Sequence, residues 1–287
     1  MSAVTTEGWP EAPEPLPAPV VDNHCHLDTR VRGGALIPVE EALDRAAAVN
    51  VTRLVQVGCD VEGSRWAVDV AREHTGVVAA VAIHPNDAAR SATLEEDLAE
   101  IDRLAADPVV RAVGETGLDH FRTGPEGRPV QEYAFRRHID MARRHDRTLV
   151  IHDRDAHDDV LRVLDSEGVP DRVVMHCFSG DEEFARRCLD RGAYLSFSGT
   201  VTFKNAQYLR DALRIAPLDR ILVETDAPFL TPTPHRGRPN ASFLIPLTVR
   251  VMAEVRGVDL ADLCRAIDGN TDAAFGGRWT PRVATVS

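Results

Sequence analysis

The sequence contains no run of about 18 or more consecutive apolar residues, so it predicts no membrane-spanning helix. Its first residues lack the basic and apolar regions of a signal peptide and hold acidic residues and prolines instead. The 5 cysteines include no CxxC pair, and in a chain of 287 residues they do not suggest a disulfide framework. Together these absences predict a cytoplasmic protein with reduced thiols and no membrane attachment.

Lysine is almost absent: of the 33 basic residues, only Lys204 is a lysine. The formal net charge of −12 argues against a protein that grips nucleic acid with its whole surface. Any nucleic-acid chemistry must therefore rest on positive charge at one site, where bound metal would supply much of it. Aromatic residues make up only 5% of the chain, so few side chains can stack on bases and sequence-specific base readout is not expected.

Short apolar segments alternate along the chain with longer segments of helical periodicity. The short segments predict strands over Val20–Cys25, Arg53–Val57, Val77–Ile83, Val109–Gly114, Leu149–His152, Val173–Met175, Ala193–Ser196 and Ile221–Glu224. The longer segments predict helices over Val39–Asn50, Gly63–His74, Leu94–Ala106, Val130–His145, His157–Glu167, Glu182–Arg191, Lys204–Ile215, Ser242–Arg256 and Leu260–Phe275.

Eight consecutive strand-then-helix units predict a parallel sheet, and eight strands can close a barrel. An open doubly wound sheet is the alternative, but it would predict a glycine-rich turn after the first strand. The segment Asp22–Asp28 contains no such turn. We therefore predict an α/β protein with a single (β/α)₈ TIM-type barrel over residues 19–278. We expect a disordered N-terminal arm over residues 1–18 and a C-terminal tail over residues 279–287.

Six residues with metal-binding side chains lie at the carboxyl ends of the predicted strands. They are His24 and His26 on the first strand, Glu115 on the fourth, His152 on the fifth, His176 on the sixth and Asp226 on the eighth. A lone histidine at a strand end is more often structural, but strand ends of a barrel converge on one face. The six residues together therefore predict a metal centre. A carboxylate such as Glu115 can bridge two ions about 3.5–4 Å apart.

A series of short motifs occurs in an order that resembles the TatD-type metal-dependent deoxyribonucleases, from about Val21 to Phe275. The motifs begin at Asp22 (DNHCHLD), Ile83 (IHP), Gly114 (GETGLD), His152 (HDRDA), His176 (HCFSG) and Glu224 (ETDAP). The resemblance implies a metallo-dependent hydrolase barrel with two divalent ions (Mg²⁺, Mn²⁺ or Zn²⁺) and exonuclease-like cleavage of DNA. It divides the six residues between two ions: His24, His26 and Asp226 for the first, His152 and His176 for the second, and Glu115 bridging both.

Three departures from the family pattern occur, at four positions. His138 stands where glutamine is usual, Thr116 replaces a commoner apolar residue, and Ala241 and Ser242 follow Asn240 where Glu-Pro is usual. The last departure leaves open a different substrate preference. A carboxylated lysine bridges the metals of several related barrels, but Lys204 follows the seventh strand and not the fourth, so a bridge must come from Glu115.

The expected chemistry is attack on phosphorus by a water that the two metals activate. Asp226 is the candidate general base and Glu115 the bridging catalytic carboxylate. His84 ends the third strand and could bind phosphate or donate a proton to the leaving oxygen. Four further residues complete the prediction: Arg154, Lys204 and Arg236 for substrate phosphates, and Glu224 for orienting a ligand.

Two other interpretations stay open. An amidohydrolase-type barrel acting on a small ester, amide or cyclic imide would use the same metals but would need no ring of cations. A non-catalytic metal-binding barrel is the other, and the completeness of the ligand set argues against it. The expected substrate is single-stranded DNA or a frayed end, and we expect a monomer without an obligate protein partner.

Overall fold

The computed structural model describes residues 9–29 and 37–283. Its eight strands are parallel and lie in the order of the chain, from β1 to β8. The last strand returns to the first, since β1 contacts β8 and Cys25 bridges to Ala227. The predicted (β/α)₈ barrel is confirmed.

The strands are β1 (Val20–Cys25), β2 (Val51–Gly58), β3 (Val77–Val81), β4 (Val110–Asp119), β5 (Thr148–Arg154), β6 (Val173–Met175), β7 (Tyr194–Phe197) and β8 (Ile221–Val223). The helices are α1 (Val39–Ala47), α2 (Val61–Glu73), α3 (Pro85–Ala88), α4 (Leu94–Ala105), α5 (Arg128–Arg144), α6 (His157–Glu167), α7 (Glu182–Leu189), α8 (Gln207–Ile215), α9 (Ile245–Arg256) and α10 (Leu260–Ala274).

The main differences from the predicted elements lie near the mouth of the barrel. The fourth strand was predicted to end at Gly114, but β4 continues to Asp119 because its last residues pair with β5. Glu115 therefore lies inside a strand and not at its end. Lys204 precedes α8 instead of beginning it. Ser242 starts a 3₁₀ turn, and α9 begins only at Ile245, where Pro246 takes the first turn that needs no N–H donor.

Two apolar layers hold the barrel together. One layer packs the outer faces of the strands against the helices. The other fills the interior of the barrel, mainly with valine and alanine side chains from the strands. At the end opposite the mouth, Phe275 and Trp279 belong to the interior layer and close it. The mouth is thus the open end, and the carboxyl ends of all eight strands face it.

The described segments before and after the predicted barrel domain pack against the barrel, which the sequence does not predict. Leu16 is buried, its N–H donates to the Val49 carbonyl (3.2 Å), and Arg250 donates to the Glu14 and Pro15 carbonyls. The expected disordered arm is therefore corrected for residues 9–18, where apolar contacts and backbone hydrogen bonds order the chain. Residues 1–8 lie outside the described residues.

The expected tail over residues 279–287 is corrected in the same way. The Trp279 ring is buried and its indole N–H donates to the Gly76 carbonyl (3.0 Å). The Arg282 N–H donates to the Thr52 carbonyl (2.8 Å). Residues 279–283 thus belong to the barrel, and residues 284–287 lie outside the described residues. Over the described ranges, no helix is long and apolar enough to cross a membrane, and the cytoplasmic location stays a prediction.

Candidate metal centre

The first strand brings two candidate ligands together. His24 and His26 are two residues apart, so both point to the same side of β1, and their Nε2 atoms lie 3.3 Å apart. Cys25 points away, and its thiol faces the Val55 carbonyl. The Nδ1 atom of His26 lies 3.0 Å from the Val57 carbonyl, so Nδ1 carries the proton and Nε2 keeps its lone pair for the site.

The segment after β8 adds a carboxylate to these histidines. The N–H of Asp226 donates to the His24 carbonyl (2.9 Å), and the N–H of His26 donates to the Ala227 carbonyl (2.8 Å). Asp226 has a left-handed backbone, with φ of 55°, which turns the chain sharply there. Its Oδ1 atom lies 3.5 Å from His26 Nε2 and 3.9 Å from His24 Nε2. These three donor atoms are close enough to share one ion.

Glu115 lies at the centre of the cluster. Its Oε2 atom is 3.4 Å from His24 Nε2, on the side of the first histidine pair. Its Oε1 atom faces three other imidazole nitrogens: His152 Nδ1 at 2.6 Å, His176 Nε2 at 3.4 Å and His84 Nε2 at 3.5 Å. The two oxygens of one carboxylate thus face different sets of histidines, as a bridging ligand requires.

Local backbone geometry brings these strands close to each other. Gly117 pairs with His152 across β4 and β5 and has a φ of 137°. A Cβ atom at this position would lie 2.1 Å from the His152 carbonyl oxygen, so only glycine permits the approach. The sequence motif that contains Glu115 therefore also contains the residue that lets His152 approach it.

Glu115, Asp226 and His24 have the protonation states that suit a divalent cation, whereas acidic neighbours raise the pKa values of His26, His152 and His176 despite their burial. Burial opposes the ionisation of Glu115, but His176 and His84 hold the pKa of its carboxyl well below the usual range. Burial opposes the ionisation of Asp226 as well, but the hydrogen bond with His26 and the neighbouring rings of His176 and His24 together lower its pKa. Burial and the neighbouring His176 ring, stacked at 3.5 Å, lower the pKa of His24 and keep its imidazole neutral. Ionised carboxylates and a neutral imidazole are the donors that Zn²⁺ and Mn²⁺ bind.

Outer partners orient the histidines. Glu224 is fully buried, and its Oε1 atom lies 2.9 Å from His176 Nδ1 and accepts the Cys177 N–H (2.9 Å). Through this contact Glu224 is placed to orient the His176 ring, in agreement with the role predicted for it. Asp119 stands in the same relation to His152, with 3.4 Å between Oδ2 and Nε2.

Asp119 and Cys59 are polar residues of the site that sequence reasoning missed. The Cys59 thiol lies 3.9 Å from His26 Nδ1 and forms a group of possible donors with His26 and Glu115. Their positions in the chain could have identified both residues, because Asp119 ends β4 and Cys59 directly follows β2. Both therefore lie at the carboxyl ends of strands, the position from which the other candidate ligands were predicted.

His84 has a defined tautomer. Its Nδ1 atom accepts the Asn86 N–H (3.1 Å), so in the neutral ring Nε2 carries the proton. That Nε2–H points towards Glu115 Oε1. His84 is therefore arranged as a hydrogen-bond donor at the site, although its donor atom also lies within the group formed by Glu115 and His152.

The three predicted cations lie outside the cluster of ligands: Arg154 ends β5, and Lys204 and Arg236 lie on the segments after β7 and β8. The Arg154 guanidinium lies over the Phe121 ring, 4.1 Å from its centroid, and Arg236 lies over the Phe203 ring at 4.0 Å. Lys204 is exposed in the turn before α8. The structure thus brings the six candidate ligands and His84 together and places the cations around them.

A (β/α)₈ barrel with an HxH pair on β1 and a cluster of histidines and carboxylates at its mouth defines a class, the metal-dependent hydrolases. The sequence model of the TatD related DNase family matches residues 21–276, and the chain belongs to this family.

The relatives of this chain are similar over nearly their whole length. A Mycobacterium tuberculosis protein described as an uncharacterized metal-dependent hydrolase TatD is 45% identical over 267 residues, which is 91% of this chain and 99% of that protein. The Escherichia coli K12 protein YcfH, also described as an uncharacterized metal-dependent hydrolase, is 40% identical and covers 89% of this chain and 95% of its own length. The crystal structure of YJJV, a TatD homologue from Escherichia coli K12, superposes with a TM-score of 0.82 at 26% identity, covering 90% of this chain and 98% of that one.

Proposed function

We propose that this protein hydrolyses phosphodiester bonds in DNA, acting on single-stranded or frayed ends, with two divalent ions bound on the two sides of Glu115. The observation that carries the proposal is the position of this buried carboxylate between His24 on one side and His152 and His176 on the other. Asp226 and His26 would complete the first ion's ligands. Mg²⁺, Mn²⁺ and Zn²⁺ are the candidate ions.

Bound ions would lower the pKa of a water towards about 7 and neutralise the charge of the scissile phosphate. Asp226 is the residue that takes up the water's proton. Its side chain is 16% exposed, against 6% for Glu115, so it can reach a water in the mouth while Glu115 stays within the cluster. The lowered pKa of Asp226 keeps its carboxylate ionised, so it carries no proton before the water is activated.

His84 supplies the opposite function. Its Nε2–H can donate a hydrogen bond to a phosphate oxygen or to the leaving oxygen, since Nδ1 is held by the Asn86 N–H. Arg154, Arg236 and Lys204 would bind flanking phosphates around the mouth, where the metal and three cations offset the acidic surface.

The test is hydrolysis of an end-labelled single-stranded oligonucleotide. The protein is stripped with a chelator and reloaded with Mg²⁺, Mn²⁺ or Zn²⁺, and the wild type is compared with Glu115→Gln. Glu100→Gln is the matched control, because this carboxylate pairs with Arg65 and Arg103 on the outer helices. We expect metal-dependent shortening by the wild type and the control, and a loss of at least about 100-fold in Glu115→Gln.

The other interpretations predict different results. Hydrolysis of small esters, amides or cyclic imides by a metal-loaded protein that leaves DNA intact would establish the amidohydrolase-type activity. Metal binding without turnover of any of these substrates would establish a non-catalytic metal-binding barrel.

A further inference from the structure

The mouth of the barrel holds two exposed aromatic rings. Among the described residues, Phe121 and Phe229 have the most exposed phenylalanine, tyrosine or tryptophan side chains, at 63% and 53%. Aromatic residues are few in this chain, and most are packed in the interior or half-buried. Single exposed rings are common on protein surfaces, but these two flank the candidate metal centre and are available to stack on a ligand bound there.

Phe229 is held beside the first group of ligands. Its N–H donates to the Asp226 carbonyl (2.8 Å), and its own carbonyl accepts the Asn240 side-chain amide (2.6 Å). The same amide also donates to the Thr225 carbonyl (2.9 Å). The backbone is therefore tied on both sides of the residue, and the ring lies 6.4 Å from the His26 ring.

Phe121 is held beside the second group of ligands. Its N–H donates to Asp119 Oδ1 (3.0 Å), and the other oxygen of this carboxylate faces His152. The Arg154 guanidinium lies over one face of the ring. An aromatic ring and a cation thus form a single surface at the end of β5, the strand that carries His152.

The order of the strands places the two rings on opposite sides of the mouth. Phe229 follows β8 and lies beside His26, which directly follows β1, whereas Phe121 follows β4 and contacts Arg154 of β5. In a barrel with the order β1 to β8, the β8–β1 and β4–β5 positions are diametrically opposed. The candidate metal centre lies between them.

The chemistry of a phosphodiester matches this arrangement. Phosphorus in such a substrate carries a nucleoside on each side, whereas a phosphomonoester or a small amide has no second base. A phenylalanine ring stacks on any base, and an arginine adds a favourable contact with the ring of the base. Stacking needs an unpaired base, because both faces of a base inside a duplex are already covered.

We propose that Phe229 and Phe121 are base-stacking residues on the two sides of the metal centre, so that the preferred ligand is an unpaired oligonucleotide strand that crosses the mouth. This inference rests on the proposed function and specifies its substrate class. Both residues act by binding bases, and neither takes part in proton transfer.

The experiment measures binding of fluorescent phosphorothioate oligothymidylates, whose linkages resist cleavage, to the metal-loaded wild type. One abasic nucleotide, which keeps the phosphate and lacks the base, is moved along the strand. We expect two sensitive positions, on either side of the phosphate at the centre, at each of which removal of the base weakens binding about tenfold. Phe229→Ala should abolish sensitivity at one position and Phe121→Ala at the other. The two changes, base removal and ring removal, should therefore be non-additive.

Two variants serve as controls. Tyr133→Ala removes another exposed ring, on α5, and should leave the Kd unchanged, while Phe229→Tyr keeps a stacking ring and should bind as tightly as the parent. Thermal unfolding checks that the variants fold.

The possible failures are distinguishable. Additive losses, or no sensitive position, in a protein whose wild type cleaves DNA would overturn the stacking proposal and leave the proposed activity intact. Non-additive losses with a wild type that cleaves no DNA would support stacking and overturn the proposed chemistry. Absence of binding to any oligonucleotide would overturn both.

Discussion

At the scale of single residues, two departures from the family pattern explain each other. Thr116 Oγ1 lies 3.0 Å from His138 Nδ1, so the unusual threonine contacts the unusual histidine. His138 is fully buried; its Nδ1 lies 2.7 Å from the Ala134 carbonyl, and its Nε2 accepts the Ile83 N–H (3.1 Å). A neutral imidazole can donate at one nitrogen and accept at the other, as the amide of glutamine does. The histidine thereby anchors α5 to the segment that leads to His84.

This environment predicts a pH-dependent stability. Burial lowers the pKa of His138 to about 4, from 6.5 in the unfolded chain. Between these values the unfolded state binds the proton more readily, so the free energy of unfolding decreases as the pH falls. The contribution of His138 between pH 7 and 4.5 is about 2 kcal/mol. We expect His138→Gln to lose correspondingly less stability than the wild type over this range, as measured by urea unfolding at both pH values. An unchanged pH dependence would contradict the assignment.

At the scale of elements, a buried ion pair ties β2 to α10 far from the mouth. The Arg53 side chain is fully buried and pairs with Asp268 and Asp272. Its guanidinium also lies 4.5 Å from the centroid of the Trp279 ring. Arg278 pairs with the same two carboxylates from the surface, where half of its side chain is exposed. Two arginines thus share their partners and differ in burial.

This pair of arginines allows a matched comparison. Arg53→Ala removes a buried charge and leaves its acidic partners and a cavity behind, so it should lower the free energy of unfolding by about 3–5 kcal/mol. Arg278→Ala removes an exposed partner and should cost less than about 1 kcal/mol. Urea unfolding of both variants measures the difference, and metal binding should be unchanged in Arg278→Ala. Equal losses in the two variants would show that burial is not what makes Arg53 important.

At the scale of the whole molecule, the metal centre joins distant parts of the barrel. Its donors come from β1, β4 and β5 and from the segments that follow β1, β3, β6 and β8. These donors lie up to about 200 positions apart in the sequence. The unfolded chain therefore does not hold them together around an ion. Metal binding should therefore stabilise the barrel as a unit.

We expect a divalent ion to raise the melting temperature of the stripped protein. An ion at about 100 times its Kd stabilises a folded state by about 2.7 kcal/mol. Glu115→Gln should lose most of this increase, and Glu100→Gln should keep it, as measured by thermal unfolding with chelator and with Mn²⁺ or Zn²⁺. The same increase in Glu115→Gln as in the wild type would mean that the ion binds elsewhere.

The alternation of buried strands and amphipathic helices depends on the order of apolar and polar residues close together in the sequence. The sequence alone therefore determined the eight-unit barrel. It also predicted at which end of the barrel the candidate ligands lie, because parallel strands present their carboxyl ends at one face. His24, His26, His152 and Asp226 were selected as candidates for this reason.

Only the tertiary structure decided how these groups meet. A register shift lies between Val113 and Thr116, and Glu115 lies there within the strand, amid five histidines from distant parts of the chain. The tautomer of His84, the contact of Asp119 with His152 and the packing of Leu16 depend likewise on long-range neighbours. Local periodicity carries no information about such contacts, since strand register and loop geometry are fixed only when the barrel closes.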